Sequence, residues 1–598
     1  MLKSVGRFWW ATERTTWGRW VVLVVLGVTG GAMELVAAAL AAGVVALAMG
    51  QALDTLPVIP EVLSTVAGDT TRAQAVAFLS VAAIFFLFRL GIALLQSYLQ
   101  LRVTTNAGAR LALRLAEGQL RLPFERHFSR STGEMVRLMH EAPDLVSRFT
   151  FYPLILVITE VFVASGLVIA LFVMAPVMMV LIALSIGVLM VVITRLINPR
   201  MVAYGAEHRQ TSQEALKILT DLFGGLRDII LSNAPGRFIE TYRLARRSAA
   251  RALYMQGAFS NAPRLIVETA AILLLLGLAA STYLGGGPAG NALLPGFLIY
   301  AVLRLAPSSS RVLGALSHLS FGLAAMKEIA AALNAIDATN AKTAMLGQRV
   351  PEPFQTLEFD EVGFTYRKLD EMVVPTVDSV SFHISSGEFV GIVGETGSGK
   401  TTILDLLLGL LTPQEGQILL NSRSLTMCAQ EWWAMVGVVS QDVFVLGDSV
   451  AANVAFGIDP EAIDHVRVWR ALDLAQIGDV VRSWPARLDS ELGERGIAIS
   501  GGERQRVGIA RALYHIKEVL VLDEATSALD TATEVRLLRA LREEMRGRSL
   551  IMVTHRIEAL RTFDRIIMVE NGTVVAQGTY DALADRSPSF QALIRSAD

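Results

Sequence analysis

The sequence predicts two halves of different class: an N-terminal all-α, polytopic membrane domain of six transmembrane helices over residues 1–345, and a C-terminal α/β domain over residues 346–598. Three observations predict this division. The composition is 53% hydrophobic over 598 residues and the mean hydropathy is +0.48, too apolar for a soluble protein of this size. The first ~320 residues hold about six stretches of the roughly 20 apolar residues that a bilayer core requires. From VPEPFQ (350–355) onward, short apolar strand-like runs alternate with helical segments and Gly-rich turns.

The first apolar run, Trp20 to about Met49, exceeds the roughly 7–15 apolar residues of a cleavable signal peptide and reads as a retained span. The other spans are expected near 74–101, 149–173, 177–197, 257–284 and 291–316. Their connections alternate in length and charge. Arginine-rich segments at 102–148 and 200–251 face the cytosol by the positive-inside rule, whereas 51–73, Ala175-Pro176 and GGGPAG (285–290) carry little positive charge and face outside. Both termini then lie in the cytosol. Helical periodicity continues through the two long loops and breaks at LPFERHFSRSTGE (122–134) and DLFGGLRD (221–228), where the chain reaches furthest from the membrane. After Phe321, AAMKEIAAALNAIDATNAK fades from helix to linker, which places the boundary near 345.

Formal net charge is -2, so the overall balance points to neither nucleic acid nor an acidic partner. The single cysteine, Cys428, forms no intramolecular disulfide, and its place in the C-terminal half fits a reducing compartment.

The strand EFVGIVG (388–394) runs into GETGSGKTT and the helical ILDLLLGLL, which gives a P-loop its required strand, loop and helix and makes the domain a P-loop NTPase. Gly394, Gly397 and Gly399 let backbone N–H groups approach phosphates, Lys400 suits the β- and γ-phosphate oxygens, Thr401 suits Mg²⁺, and Thr402 completes the ATP-binding run. The apolar strand VLVLDE (519–524) ends in two carboxylates. Asp523 is expected in the Mg²⁺ shell and Glu524 as the group that polarises an attacking water. His555 closes another apolar strand, SLIMVTH, within expected reach of a γ-phosphate.

Taken together, GFTY, GETGSGKT, VSQD, ISGGE, VLVLDE, SALD and THR make residues ~350–598 resemble the nucleotide-binding domain of ATP-binding cassette (ABC) transporters. The resemblance implies that Tyr366 stacks on adenine and that Gln441 links the γ-phosphate and Mg²⁺ to the membrane domain. It also implies that Ser500 and Gly502 close over ATP held by a partner subunit, so that two cassettes meet head to tail. SELGERG (490–496) resembles the exporter-type segment that touches coupling helices, and six spans followed by a cassette resemble an exporter half-transporter. The departures are Ile499 for Leu, Glu503 for Gln in the signature, and Ser440 where many exporters have Pro. With Glu524 and His555 both present, a homodimer would have two competent sites.

Ionisable residues inside spans are functional candidates: Glu34, Arg89, Glu160, Arg264, Glu268 and Arg304. Arg89 and Arg304 fall at similar depth, roughly 20 Å from the outer surface at 1.5 Å per residue, and Arg264 falls deeper, so a dimer would line its cavity with guanidinium groups suited to phosphate. The alternative is ion pairing of these arginines with Glu34, Glu160 or Glu268. NAPRLIVE (261–268) and LRLAPSSSRV (303–312) resemble segments of bacterial lipid-linked oligosaccharide flippases. That resemblance implies a polyprenyl-pyrophosphate glycan as cargo, Arg89, Arg264 and Arg304 on its pyrophosphate, and 54–68 as either a short amphipathic helix for the lipid tail or a plain loop.

The expectation is therefore an ATP- and Mg²⁺-dependent homodimeric exporter in a bacterial inner membrane, with its cassette cytoplasmic, an amphiphilic or lipid-linked substrate and no nucleic-acid partner. Other lipids, including a lipid A precursor, drugs and small peptides remain alternative cargoes. An ATP-gated channel and a soluble ABC protein acting on nucleic acid or ribosomes are the readings from other classes.

Overall fold

The computed structural model describes residues 16–48, 71–126, 132–174, 176–284, 293–346, 352–366, 376–493, 496, 498–515 and 517–597. The chain divides into two compact units: Met1–Leu122 with Arg126–Lys342, and Pro123–Glu125 with Thr343–Asp598.

The first unit is built on six long helices: α1 (Trp17–Ala48), α2 (Thr71–Leu120), α3 (Tyr152–Met174), α4 (Pro176–Gly224), α5 (Pro235–Leu284) and α6 (Leu293–Leu346). Among the described residues, five helical stretches are long and apolar enough to cross a membrane: Trp17–Val44, Arg72–Leu120, Gly133–Gly166, Gly187–Gly224 and Leu305–Thr339. The remaining expected span, 257–284, lies on α5, several of whose side chains are outside the described set. Unbroken helix satisfies backbone groups where no water can do so, which is why apolar runs of this length fold this way. The arginine-rich loops are largely continuations of these helices. α4 runs on to Gly224 before a break at Gly225, and α2 ends at Leu120. Of the first tip, 127–131 lie outside the described residues, as does the segment 54–68.

Small residues bring α1 and α3 together. A Cβ on Gly31 would fall 2.5 Å from the Phe162 carbonyl oxygen, and one on Gly166 2.4 Å from that of Gly31, so neither position admits a larger residue at this spacing. Arg137, on the short helix Thr132–Met139, is fully buried against Glu328 of α6, which also lies 3.6 Å from Arg209 of α4.

Among its described residues the second unit holds two sheets. β1 (Thr356–Phe364), β2 (Val377–Ser385), β4 (Glu415–Leu420) and β5 (Arg423–Ser424) form an antiparallel sheet in the order β2-β1-β4-β5. β3 (Phe389–Val393), β6 (Val436–Val439), β7 (Val519–Asp523), β8 (Ser549–Val553), β9 (Arg565–Glu570) and β10 (Thr573–Gly578) form the other, in the order β10-β9-β3-β8-β7-β6. Within it β9, β3, β8, β7 and β6 run parallel, and β10 pairs antiparallel to β9. The continuous apolar runs of β3, β7 and β8 are those of strands covered on both faces, and almost every residue in them is buried.

Candidate functional site

Parallel pairing puts the C-terminal ends of β3, β8, β7 and β6 on one edge of the sheet. Ile392 pairs with Val553, Val553 with Asp523, and Leu522 with Val439, so the four strands finish almost level. The chain leaves this edge at Gly394, His555, Glu524 and Gln441, the residues singled out in the sequence. In open parallel sheets this is where ligands bind.

After β3 the loop 394–399 turns into α7 (Lys400–Leu407). Gly397 and Gly399 have φ of 84° and 100°, a left-handed backbone that side chains disfavour. A Cβ on Gly394 would lie 2.2 Å from the Val569 carbonyl oxygen. Lys400 Nζ donates to the carbonyls of Gly394 and Glu395, 2.8 Å each, and so folds back over the loop. Burial lowers the Lys400 pKa, opposed by Glu524 and Asp523. Thr401 is exposed in the first turn of α7, whereas Thr402 is 5% exposed.

Glu524 is where the geometry concentrates. Its φ of 47° is a left-handed conformation costing about 1 kcal/mol for a residue with a Cβ. Its N–H donates to Val553 O at 2.9 Å, which holds the turn. One carboxylate oxygen accepts from Gln441 Nε2 at 2.8 Å, and the other lies 2.6 Å from His555 Nε2. The three proposed catalytic side chains therefore meet. Asp523 stands beside them, and burial first, then the Glu524 and Asp405 carboxylates, push its pKa up to about 6 against the pull of Lys400. Such a group, next to an amide, an imidazole and a lysine, can hold a cation and activate a water.

Ser500 and Gly502 lie at the start of α8 (Gly501–His515), with Gly502 close against the Ala528 carbonyl. The Ser500 side chain and N–H bond to Glu503 of the same chain. Tyr366, two residues past β1, is 41% exposed with its ring edge-on to Phe364, open to a planar ligand.

Two residues with structural leverage here went unassigned in the sequence. Gln505 Nε2 donates to Ser527 Oγ at 2.9 Å, and its carbonyl accepts from Ala528 N at 3.0 Å, tying α8 to the SALD turn. Arg556 donates to the carbonyls of Leu529 and Ser527 and to Glu534, fixing the other side of that turn. Arg556 closes the THR motif and Gln505 stands two residues past ISGGE, but only the fold reveals their partners.

In the membrane unit Arg89 Nη2 lies 2.6 Å from Glu34, which is 1% exposed, and Arg264 Nε lies 2.7 Å from Glu268 one turn along α5. The structure thus realises the ion pairing that the sequence held open against phosphate binding. The Arg304 side chain lies outside the described residues. Glu160 accepts from Arg311 Nε at 2.6 Å, Arg311 Nη2 at 3.0 Å and Ser308 Oγ at 2.6 Å, a cluster joining α3 to α6 in which neither Arg311 nor Ser308 was picked out in advance.

The residues fit a nucleotide. Ser398 Oγ is buried with no hydrogen-bond partner, and a Cβ on Gly397 would meet open space, leaving room and polar groups over the loop. Among the described residues no cluster of three or more His, Cys, Asp or Glu could hold a metal alone. A magnesium ion sharing Thr401, Asp523 and substrate phosphates needs none.

Residues 377–527 match the family described as ABC transporter, and residues 24–292 match the ABC transporter transmembrane region. An ATP-dependent lipid A-core flippase of Ralstonia nicotianae (strain ATCC BAA-1114 / GMI1000) is 32% identical over 404 residues, 67% of each chain. One of the same description from Cupriavidus metallidurans (strain ATCC 43123 / DSM 2839 / NBRC 102507 / CH34) is 41% identical over 241 residues, 40% of each chain. A bacterial Atm1-family ABC exporter solved with ATP bound aligns with TM-score 0.80 and 25% identity, covering 98% of this chain and 99% of that one.

Proposed function

The chain belongs to the ABC transporter family, and from that premise we propose that this exporter-type half-transporter works as a homodimeric flippase for a phosphorylated, lipid-linked glycan. It is an integral, multi-pass membrane protein whose ATPase domain is coupled to transport. The observation that carries the reading is the meeting of Gln441, Glu524 and His555 at the strand ends beside the P-loop, on a chain whose other unit is a set of long apolar helices.

In this reading Lys400 exchanges the carbonyls of Gly394 and Glu395 for ATP phosphates, and Tyr366 stacks on the adenine. Magnesium, when bound, would screen phosphate charge and polarise the γ-phosphoryl group, with Thr401, Asp523 and Gln441 as the residues that would hold it. Glu524 orients and deprotonates the attacking water, and His555 holds Glu524 and the γ-phosphate in register. Ser500 and Gly502 face the nucleotide of the other subunit. Closure of the cassettes is relayed through the tips at 122–134 and 221–228, and hydrolysis resets the pair.

The cargo reading draws on the lipid A-core flippases among the relatives and on the arginines of the spans. Phosphates of the cargo would exchange for the Glu34 and Glu268 carboxylates on Arg89 and Arg264, joined by Arg304. A second reading, a general amphiphile exporter, is favoured by the paired state of Arg89 and Arg264. Reconstitution in liposomes separates the two. ATP-dependent translocation of a labelled polyprenyl-pyrophosphate glycan or a lipid A-core lipid, lost in Glu524→Gln, supports the flippase. Movement of simple phospholipid or drugs alone overturns it in favour of the second reading.

A further inference from the structure

We propose that Glu503, which stands where the signature motif of the family has glutamine, is a positioning residue that withholds Ser500 from ATP and so sets the nucleotide concentration at which the cassettes close. The inference rests on the reading above, in which Ser500 meets the γ-phosphate of ATP on the partner subunit.

Three hydrogen bonds carry it. One oxygen of the Glu503 carboxylate accepts the Ser500 N–H at 2.7 Å and the Ser500 hydroxyl at 2.7 Å, while Glu503 N donates back to Ser500 Oγ at 3.3 Å. The backbone part is an ordinary capping box, which glutamine would form equally well through its amide carbonyl. The hydroxyl bond differs. A carboxylate holds a hydroxyl proton about twice as strongly as a neutral amide oxygen does. With its proton committed to Glu503 and one lone pair taken by Glu503 N–H, Ser500 retains only acceptor capacity, which an anionic phosphate cannot use. To donate to phosphate, Ser500 must let go of Glu503, and the freed carboxylate then stands beside the incoming negative charge. Both effects oppose ATP; with glutamine the first is about halved and the second is absent.

The test is steady-state ATPase kinetics on the full-length protein in nanodiscs, comparing wild type, Glu503→Gln, Ser500→Ala and the double variant at low and high salt. Glu503→Gln is expected to lower KM for ATP about fivefold, with a smaller change in kcat, and the advantage should shrink at about 0.5 M salt as charge is screened. Ser500→Ala should raise KM in the Glu503→Gln background and erase most of the difference between Glu and Gln. Glutamine keeps the cap, so its melting temperature serves as the control for folding. Unchanged KM in Glu503→Gln, with KM raised by Ser500→Ala, overturns the role of Glu503 and leaves the placement of Ser500 standing. Unchanged KM when Ser500→Ala is added to Glu503→Gln overturns that placement and this inference with it. A fall in kcat and melting temperature together, without salt dependence, reduces Glu503 to a helix cap and overturns the proposal.

Discussion

In the nucleotide-binding unit, Lys400, Asp523, Glu524 and His555 converge on the open edge of a sheet, whereas in the membrane unit Glu34, Glu160 and Glu328 each close on an arginine inside the helices. The same residue types are put to opposite uses. On the sheet edge, water is within reach and charges can be held ready for a ligand at modest cost. Among apolar helices, an unpaired charge costs several kcal/mol, and Glu34, Glu160 and Glu328 are each paired with an arginine of the protein. A charged residue in this chain is therefore read by what surrounds it: convergence marks the proposed reactive site, and pairing between helices marks a joint that a ligand would have to displace.

The largest effect should come from the convergent side. Glu524→Gln keeps the shape and the Gln441 contact but removes the base, so ATP turnover should fall at least about a hundredfold while ATP binding persists. Radioactive phosphate release beside equilibrium nucleotide binding checks this. Wild-type turnover would place the reactive carboxylate elsewhere and break the contrast.

On the paired side, Glu160→Ala leaves Arg311 and Ser308 without their acceptor. A loss of about 1–3 kcal/mol is expected, below the range for fully buried pairs because the Arg311 side chain is 37% exposed. Thermal unfolding in detergent reads it. Replacing Arg311 as well, by leucine, should recover much of the loss. If the double variant is no more stable than Glu160→Ala, the pair is no joint.

The smallest effect sharpens the comparison by pH. Folded Asp523 binds its proton up to about pH 6, whereas an unfolded aspartate releases it near 4. The folded state thus holds the extra proton between those values, and raising the pH through this window removes stability from the nucleotide-free protein. Asp523→Asn is neutral throughout, so its melting temperature should gain on wild type as pH rises from about 4 to 6 and hold level above. A constant difference would mean that Asp523 is already ionised and solvated.

Much of the cassette could be read from the chain because its chemistry is local. GETGSGKT must follow a strand and open a helix, and VLVLDE must end a buried strand, whatever else the protein contains. The spans were legible for a similar reason, since helix is the form that a long apolar run takes in lipid. Gln505, Arg556, Ser308 and Arg311 were not, because their partners are 19 or more residues away in sequence and no spacing rule foretells them. The choice for Arg89 between pairing and phosphate also depended on a partner 55 residues away.

The sequence by itself determined which segments are long apolar helices and where the strand, loop and helix of the P-loop stand, because hydrophobic length and the turn chemistry of the P-loop act within a few residues. The tertiary structure alone decided that Gln441, Glu524 and His555 touch, and that Arg89 closes on Glu34. Those contacts depend on strand order, register and helix packing, which bring distant residues together through burial rather than through any local pattern.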